Sequence, residues 1–210
     1  MNVELQMEEP DLVSLIGSRI CHDLVSPVGA IGNGVELLGM SAPAGGSVQA
    51  AVGPELDLVR ASVETAQAKL RFYRIAFGEA GKDQKIGRGE VLAVLADLYG
   101  AGRLKVHWDQ DGAADRAEVK LAFLMLMCLE NAMPFGGQVH VRHRDDGWCV
   151  QGTAEKLRLE PLLWEALKSG VSPAPLRPSQ VQFGLVTEAA ARLGCRLDVA
   201  LDEGSVTLCV

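Results

Sequence analysis

The chain has no uninterrupted apolar run of about 18 residues, so the sequence offers no transmembrane helix. Its opening residues, MNVELQMEEPD, are acidic and lack the basic and apolar regions of a signal peptide. A surplus of basic residues is also missing: 20 Lys and Arg stand against 27 Asp and Glu, for a net charge of −7. That balance speaks against a general binder of nucleic acid or anionic membrane, because either partner requires a basic patch. Cysteines at metal or redox spacing are absent too. Cys21, Cys128, Cys149, Cys195 and Cys209 are scattered, odd in number and without a C-x-x-C pair. They argue against a zinc site and fit a reduced, cytoplasmic chain with structural thiols. No internal repeat or low-complexity tract is evident.

What is present is a soluble globular composition: 210 residues, 48% hydrophobic and 22% charged, enough for a sizeable core in one or two domains. From Asp11 to Met40, Val13, Ile16, Ile20, Leu24, Val28, Ile31, Val35 and Leu38 recur at steps of three and four, the period of a long helix. SAPAGGSVQAAVGP reads as a loop. Beyond it Leu56, Val59, Val63, Ala66, Leu70, Tyr73 and Phe77 keep heptad spacing, the pattern of nearly parallel packed helices. A lone hairpin of two such helices leaves apolar surface wet, and pairing two copies into a four-helix bundle removes it.

EAGKDQKIGRG interrupts the heptads and reads as a linker, which divides the chain into residues 1–82 and 83–210. The second part alternates helices (Gly89–Tyr99, Ala117–Met133, Glu160–Lys168, Phe183–Leu193) with strands (LKVHWDQ, GQVHVRHR, GWCVQGT, RLDVALD, SVTLCV). Several strands are hairpin-linked, which predicts a two-layer α/β sandwich. The fold class is therefore α+β: a helical hairpin forming a dimeric four-helix bundle, then the sandwich.

On a helical wheel His22 lies opposite the Ile20/Leu24 stripe, beside Ser18, Arg19, Ser26, Gly29 and Asn33. The imidazole then points outward on a flat polar face that another protein can approach. Pro27 lies inside the helix, where its ring crowds the Asp23 carbonyl and predicts a kink. Read alone, His22 and Pro27 are equally a solvated histidine and a tolerated bend. A Cys21–His22 dyad is excluded, since adjacent helix positions do not face each other.

H-D-L-V-S-P on the first helix of a heptad hairpin resembles the H-box of bacterial histidine kinases. The longer run R-I-C-H-D-L-V-S-P-V-G-A-I-G-N-G-V-E-L-L closely resembles alphaproteobacterial histidine phosphotransferases of the ChpT type. The resemblance implies that His22 accepts a phosphoryl group from an aspartyl phosphate on one receiver domain and donates it to the aspartate of another. Asp23 matches the family's acidic residue, and any contact with the ring has to exploit the Pro27 distortion because the two side chains diverge by about 100°. Ser26, one turn on, is placed to hydrogen-bond phosphoryl oxygens, and Arg19, one turn back, to neutralise their charge. The implied partners are receiver domains of a hybrid histidine kinase and of response regulators, with Mg²⁺ supplied by the receiver, and a homodimeric chain without a cofactor of its own.

The same resemblance places a kinase-like ATP-binding fold in residues 83–210, with Glu130 and Asn131 in LMLMCLENAMPFGGQVHV at the Mg–ATP positions. The nucleotide motifs are missing. After GWCVQG the chain reads TAEKL in place of Asp-x-Gly-x-Gly, and VSPAPLRPSQVQ, with three prolines and no glycine, replaces the glycine-rich lid. Such a loop cannot offer consecutive N–H groups to phosphates. Only QFGLV resembles the last glycine box. His107, His140 and His143 read as structural, because His140 and His143 occupy opposite strand faces. Three functions compete: a histidine phosphotransferase without kinase activity, a divergent sensor kinase, and a non-catalytic receiver-binding adaptor. The missing motifs favour the first.

Overall fold

The computed structural model describes residues 11–40, 53–144, 147–173 and 175–210. The first periodic segment forms helix α1 (Leu12–Met40), where the Asp11 carboxylate accepts from the Ser14 amide at 3.2 Å. The second forms α2 (Gly53–Ala76), running back along α1. Of the expected loop SAPAGGSVQAAVGP, Gly53 and Pro54 begin α2 and residues 41–52 lie outside the described ones. The two helices approach closely at Gly34, where a Cβ would stand 2.5 Å from Val59 Cγ2.

Burial corrects both apolar stripes. Ile16, Ile20, Leu24, Ile31 and Leu38 are partly covered, but Val13, Val28 and Val35 are exposed. The buried line of α1 runs instead through Pro27 and Gly34. On α2 the seam to α1 passes Val59, Lys69 and Tyr73, while Leu56 and Leu70 remain open. A straight helix drifts about 20° per heptad from a strict seven-residue repeat. The drift turns Phe72, Ile75 and Ala76, all at most 1% exposed, into the core of the α/β layer.

That layer contains β1 (Lys85–Gly87), α3 (Arg88–Tyr99), β2 (Leu104–Trp108), β3 (Ala113–Asp115), α4 (Arg116–Ala132), β4 (Gly137–Arg144) and β5 (Gly147–Thr153). It continues through α5 (Pro161–Ser169), a short 3₁₀ turn at Pro178–Gln180, α6 (Val181–Arg192), β6 (Asp198–Asp202) and β7 (Ser205–Cys209). Five strands form one sheet in the order β2-β4-β5-β7-β6, parallel only between β2 and β4. Alternation buries Val139, Val141, Trp148, Val150, Val206 and Leu208 on the helical side. Helix α4 is apolar on every side because the sheet, α2 and α6 surround it. Mixed helix and sheet after a helical hairpin is the class expected.

Two expectations need correction. EAGKDQKIGRG is not a free linker: β1 lies within it and pairs with β3, and α4 grips what precedes. Arg116 donates to the Arg74 carbonyl at 2.9 Å, Lys120 to that of Gly78 at 2.9 Å, and the Arg116 amide to that of Gln84 at 2.8 Å. Nor are all five cysteines free thiols. Cys149 and Cys209 face each other in the β5–β7 register, with Cα atoms 4.2 Å apart, and form a disulfide. Cys21, Cys128 and Cys195 are free.

Candidate functional site

Helix α1 continues through Pro27, whose ring is buried. Proline supplies no N–H to the carbonyl four residues back, that of Asp23. Lys69 Nζ, on α2, donates to this carbonyl at 2.8 Å instead. The distortion expected at Pro27 is thus absorbed in a continuous helix, with the freed acceptor satisfied from the neighbouring one.

The Asp23 side chain is gripped as tightly as its backbone. Arg19 Nε donates to Oδ2 at 2.6 Å, and the Tyr73 hydroxyl donates to the same oxygen. The other oxygen, Oδ1, lies 3.0 Å from His22 Nδ1. The Asp23 side chain is 14% exposed and the His22 ring 83%. Burial alone would raise the Asp23 carboxyl, but hydrogen bonds from His22 and Tyr73 and the charge of Arg19 outweigh it and hold the group below its ordinary value. Tyr73 moves the other way: burial and the adjacent carboxylate push its hydroxyl well above the usual range, so it stays a donor. An ionised carboxylate only accepts, so the contact is one in which Nδ1–H donates to Oδ1, and Nε2 has no protein hydrogen-bond partner among the described residues.

The expected site residues separate on inspection. His22 projects outward as its place on the wheel requires. Asp23, expected to diverge, meets it because Oδ2 is pinned on the inner side. Arg19 does not share the open face. Its side chain is 20% exposed, and besides Asp23 it donates from Nη1 to the Ser179 carbonyl at 3.0 Å, tying α1 to the α/β layer. Ser26 is exposed one turn from His22. Sequence pattern does not single out Lys69 or Tyr73: Tyr73 falls in the apolar stripe, and Lys69 has no apolar periodicity. Their signal is a lysine and a tyrosine four residues apart on a helix packed against a helix-internal proline.

In the α/β layer, Glu130 and Asn131 border a polar cleft of about 310 Å³ with Arg158, Glu160, Arg177 and Ser179. Arg177 donates to both oxygens of Glu160, at 3.0 and 2.9 Å, and Gln180 Nε2 joins at 2.8 Å, so the replaced lid is pinned as a turn. A Cβ at Gly184, in QFGLV, would stand 2.8 Å from Leu12 Cδ2 and 3.1 Å from Leu176 Cδ1. Leu12 of α1 and Leu176 of the lid therefore occupy the space beside this glycine. His107 and His140 are register partners with stacked rings 4.6 Å apart, and His143 lies against Trp148. Among the described residues no three His, Cys, Asp or Glu side chains converge on a metal position.

The hairpin presents an exposed histidine and rests on an α/β layer, and comparison with known proteins gives the class: a protein phosphotransferase. The chain belongs to the histidine phosphotransferase family: residues 88–205 match the family described as "Histidine phosphotransferase C-terminal domain". It is 33% identical over 208 residues to the protein phosphotransferase ChpT of Brucella abortus (strain 2308), covering 95% of this chain and 94% of that one. It also matches the solved structure of a bacterial phosphotransferase, with TM-score 0.75, 29% identity and 95% of both chains covered. The chain is a histidine phosphotransferase that works in a phosphorelay. No helix among the described residues is long and apolar enough to cross a membrane.

Proposed function

We propose that His22 carries the phosphoryl group, through Nε2, between the aspartates of two receiver domains in the cytoplasm. The observation that carries this reading is the exposed imidazole with Nδ1 engaged by Asp23 and Nε2 bare. The Nε2 lone pair attacks phosphorus of an aspartyl phosphate on the donor, and the phosphorus–oxygen bond to the carboxyl breaks, its electron pair leaving with the donor carboxylate. The Nδ1 proton stays in place. The ring gains positive charge as it is phosphorylated, and the ionised Asp23 carboxylate offsets it. That charge also makes the imidazole a good leaving group when an acceptor aspartate attacks, so transfer runs both ways. Ser26 lies within one turn for the phosphoryl oxygens.

Receiver domains supply Mg²⁺ in this scheme. Asp23 spends both carboxylate oxygens on protein donors, and among the described residues no second carboxylate pairs with His22. The hairpin leaves Val28, Val35, Leu56 and Leu70 open along one side, which supports a homodimer through a four-helix bundle. The filled space beside Gly184 and the pinned lid support an α/β layer that no longer binds ATP. His22→Ala should abolish label transfer from a phosphorylated receiver domain, in the absence of ATP, while circular dichroism stays unchanged. A variant that still accepts label removes His22 from the mechanism, and label on His22 from Mg–ATP alone restores a kinase.

A further inference from the structure

We infer that Tyr73 is a positioning residue of phosphotransfer, its hydroxyl acting with Arg19 to turn the Asp23 carboxylate so that His22 is held with the proton on Nδ1 and Nε2 free. The inference rests on the reading of His22 as phosphoryl carrier.

Neighbouring residues on a helix point about 100° apart, so an unrestrained Asp23 would leave His22 alone. Two donors remove that freedom. Arg19 Nε and the Tyr73 hydroxyl both bind Oδ2, on the side facing α2, which leaves Oδ1 as the oxygen presented outward at 3.0 Å from Nδ1. Tyr73 is itself held in place. Its ring stacks on Phe77 at 5.0 Å, meets Phe72 edge-on at 6.1 Å, and is 8% exposed. Lys69, one turn earlier on α2, fixes the Asp23 carbonyl that Pro27 leaves free. Backbone and side chain of one aspartate are therefore set by two residues of the opposite helix. The histidine it serves makes no other side-chain hydrogen bond among the described residues. A cluster that merely stabilised the hairpin would need no outward oxygen at His22.

Tyr73→Phe in the full-length protein keeps the ring and removes the hydroxyl. Nitrogen-15 spectra of His22 should show one tautomer, protonated at Nδ1, in the wild type and a mixture in the variant. Transfer from a receiver domain phosphorylated with acetyl phosphate should fall about 10–100-fold, the size of one or two charge-assisted contacts. Arg19→Gln, at the rim, should move the tautomer ratio the same way, which provides a second reading if Tyr73→Phe folds poorly. Tyr99→Phe is the control: that hydroxyl donates to Glu130 at 3.1 Å, and its loss should cost stability while leaving tautomer and rate unchanged. A wild-type tautomer and rate in Tyr73→Phe and Arg19→Gln, with His22→Ala inactive, overturns the inference alone. An active His22→Ala overturns the reading beneath it.

Discussion

A proline inside a helix costs about 3 kcal/mol, partly because an acceptor one turn back loses its donor. Here that acceptor belongs to Asp23, and Lys69 of the other helix replaces the missing N–H. The sequence makes His22 and Pro27 legible, since exposure on a wheel and a helix-internal proline are local properties. It hides the partners of Asp23, because Lys69 and Tyr73 lie some 50 residues away and their relevance exists only after the hairpin closes. It also misplaces Arg19, whose long side chain follows its two acceptors rather than the direction of its Cβ. Asp23→Asn tests the charge at this residue. The amide would offer its NH₂ toward Nδ1, moving the ring proton to Nε2, so transfer should fall on the order of 10²–10⁴-fold. Because the folded Asp23 carboxyl titrates below its ordinary value of 3.8, its stabilisation is complete above that value and is lost as pH falls through the lowered one. The advantage of wild type over Asp23→Asn should therefore not shrink from pH 7 to about 5 and should be lost only in stronger acid. A gap that closes between pH 7 and 5 in urea titrations would mean that Asp23 is not held ionised.

Sequence pattern locates the long elements to within a residue or two: α1 by its three-four spacing, α4 by an apolar run too long for a strand, β4 and β5 by alternation. Strands β1 and β3 were invisible: three residues cannot show an alternation, and their pairing depends on α2 and α4 meeting first. The glycine of QFGLV was legible as a glycine that something needs, but not what. Its use here is packing: Gly184 on α6 admits Leu12 of α1 and Leu176 of the replaced lid. Arg19, two turns along the same helix, then reaches the Ser179 carbonyl. Gly184→Val should push Leu12 and Leu176 outward, with a cost of about 1–3 kcal/mol for overpacking. Gly17, one turn before Cys21, has open space around its Cβ position, so Gly17→Ala should instead gain about 0.5–1 kcal/mol of helix stability. Equal effects of the two substitutions on denaturant midpoints would refute the close packing of α1 on α6.

Seen as a whole, the hairpin has two apolar sides with different fates. One is already used: Phe72, Ile75 and Ala76 on α2 join Phe123 and Leu124 of α4 in a single buried cluster. Cutting the chain near residue 82 would uncover that side, so hairpin and α/β layer are expected to unfold together rather than as separable domains. The other side, with Val28, Val35, Leu56 and Leu70, is left exposed by the described residues. An apolar stripe at this spacing on both helices is what a second copy of the hairpin would cover. The two sides should respond differently to a charge. Leu70→Glu places a carboxylate on the open side, where it is solvated in a monomer but desolvated in the bundle. If two copies pair through this side, as proposed, it should yield a folded monomer, read as half the wild-type mass in light scattering with little change in circular dichroism. The unfolding midpoint of the wild type should rise with protein concentration, because association stabilises the folded form by mass action, and that dependence should vanish in the variant. A wild type that is monomeric at micromolar concentration would overturn the dimeric bundle, and a Leu70→Glu that remains dimeric would place the interface elsewhere. A Leu70→Glu that unfolds would show that the contacts of Phe72, Ile75 and Ala76 cannot hold the hairpin without its partner.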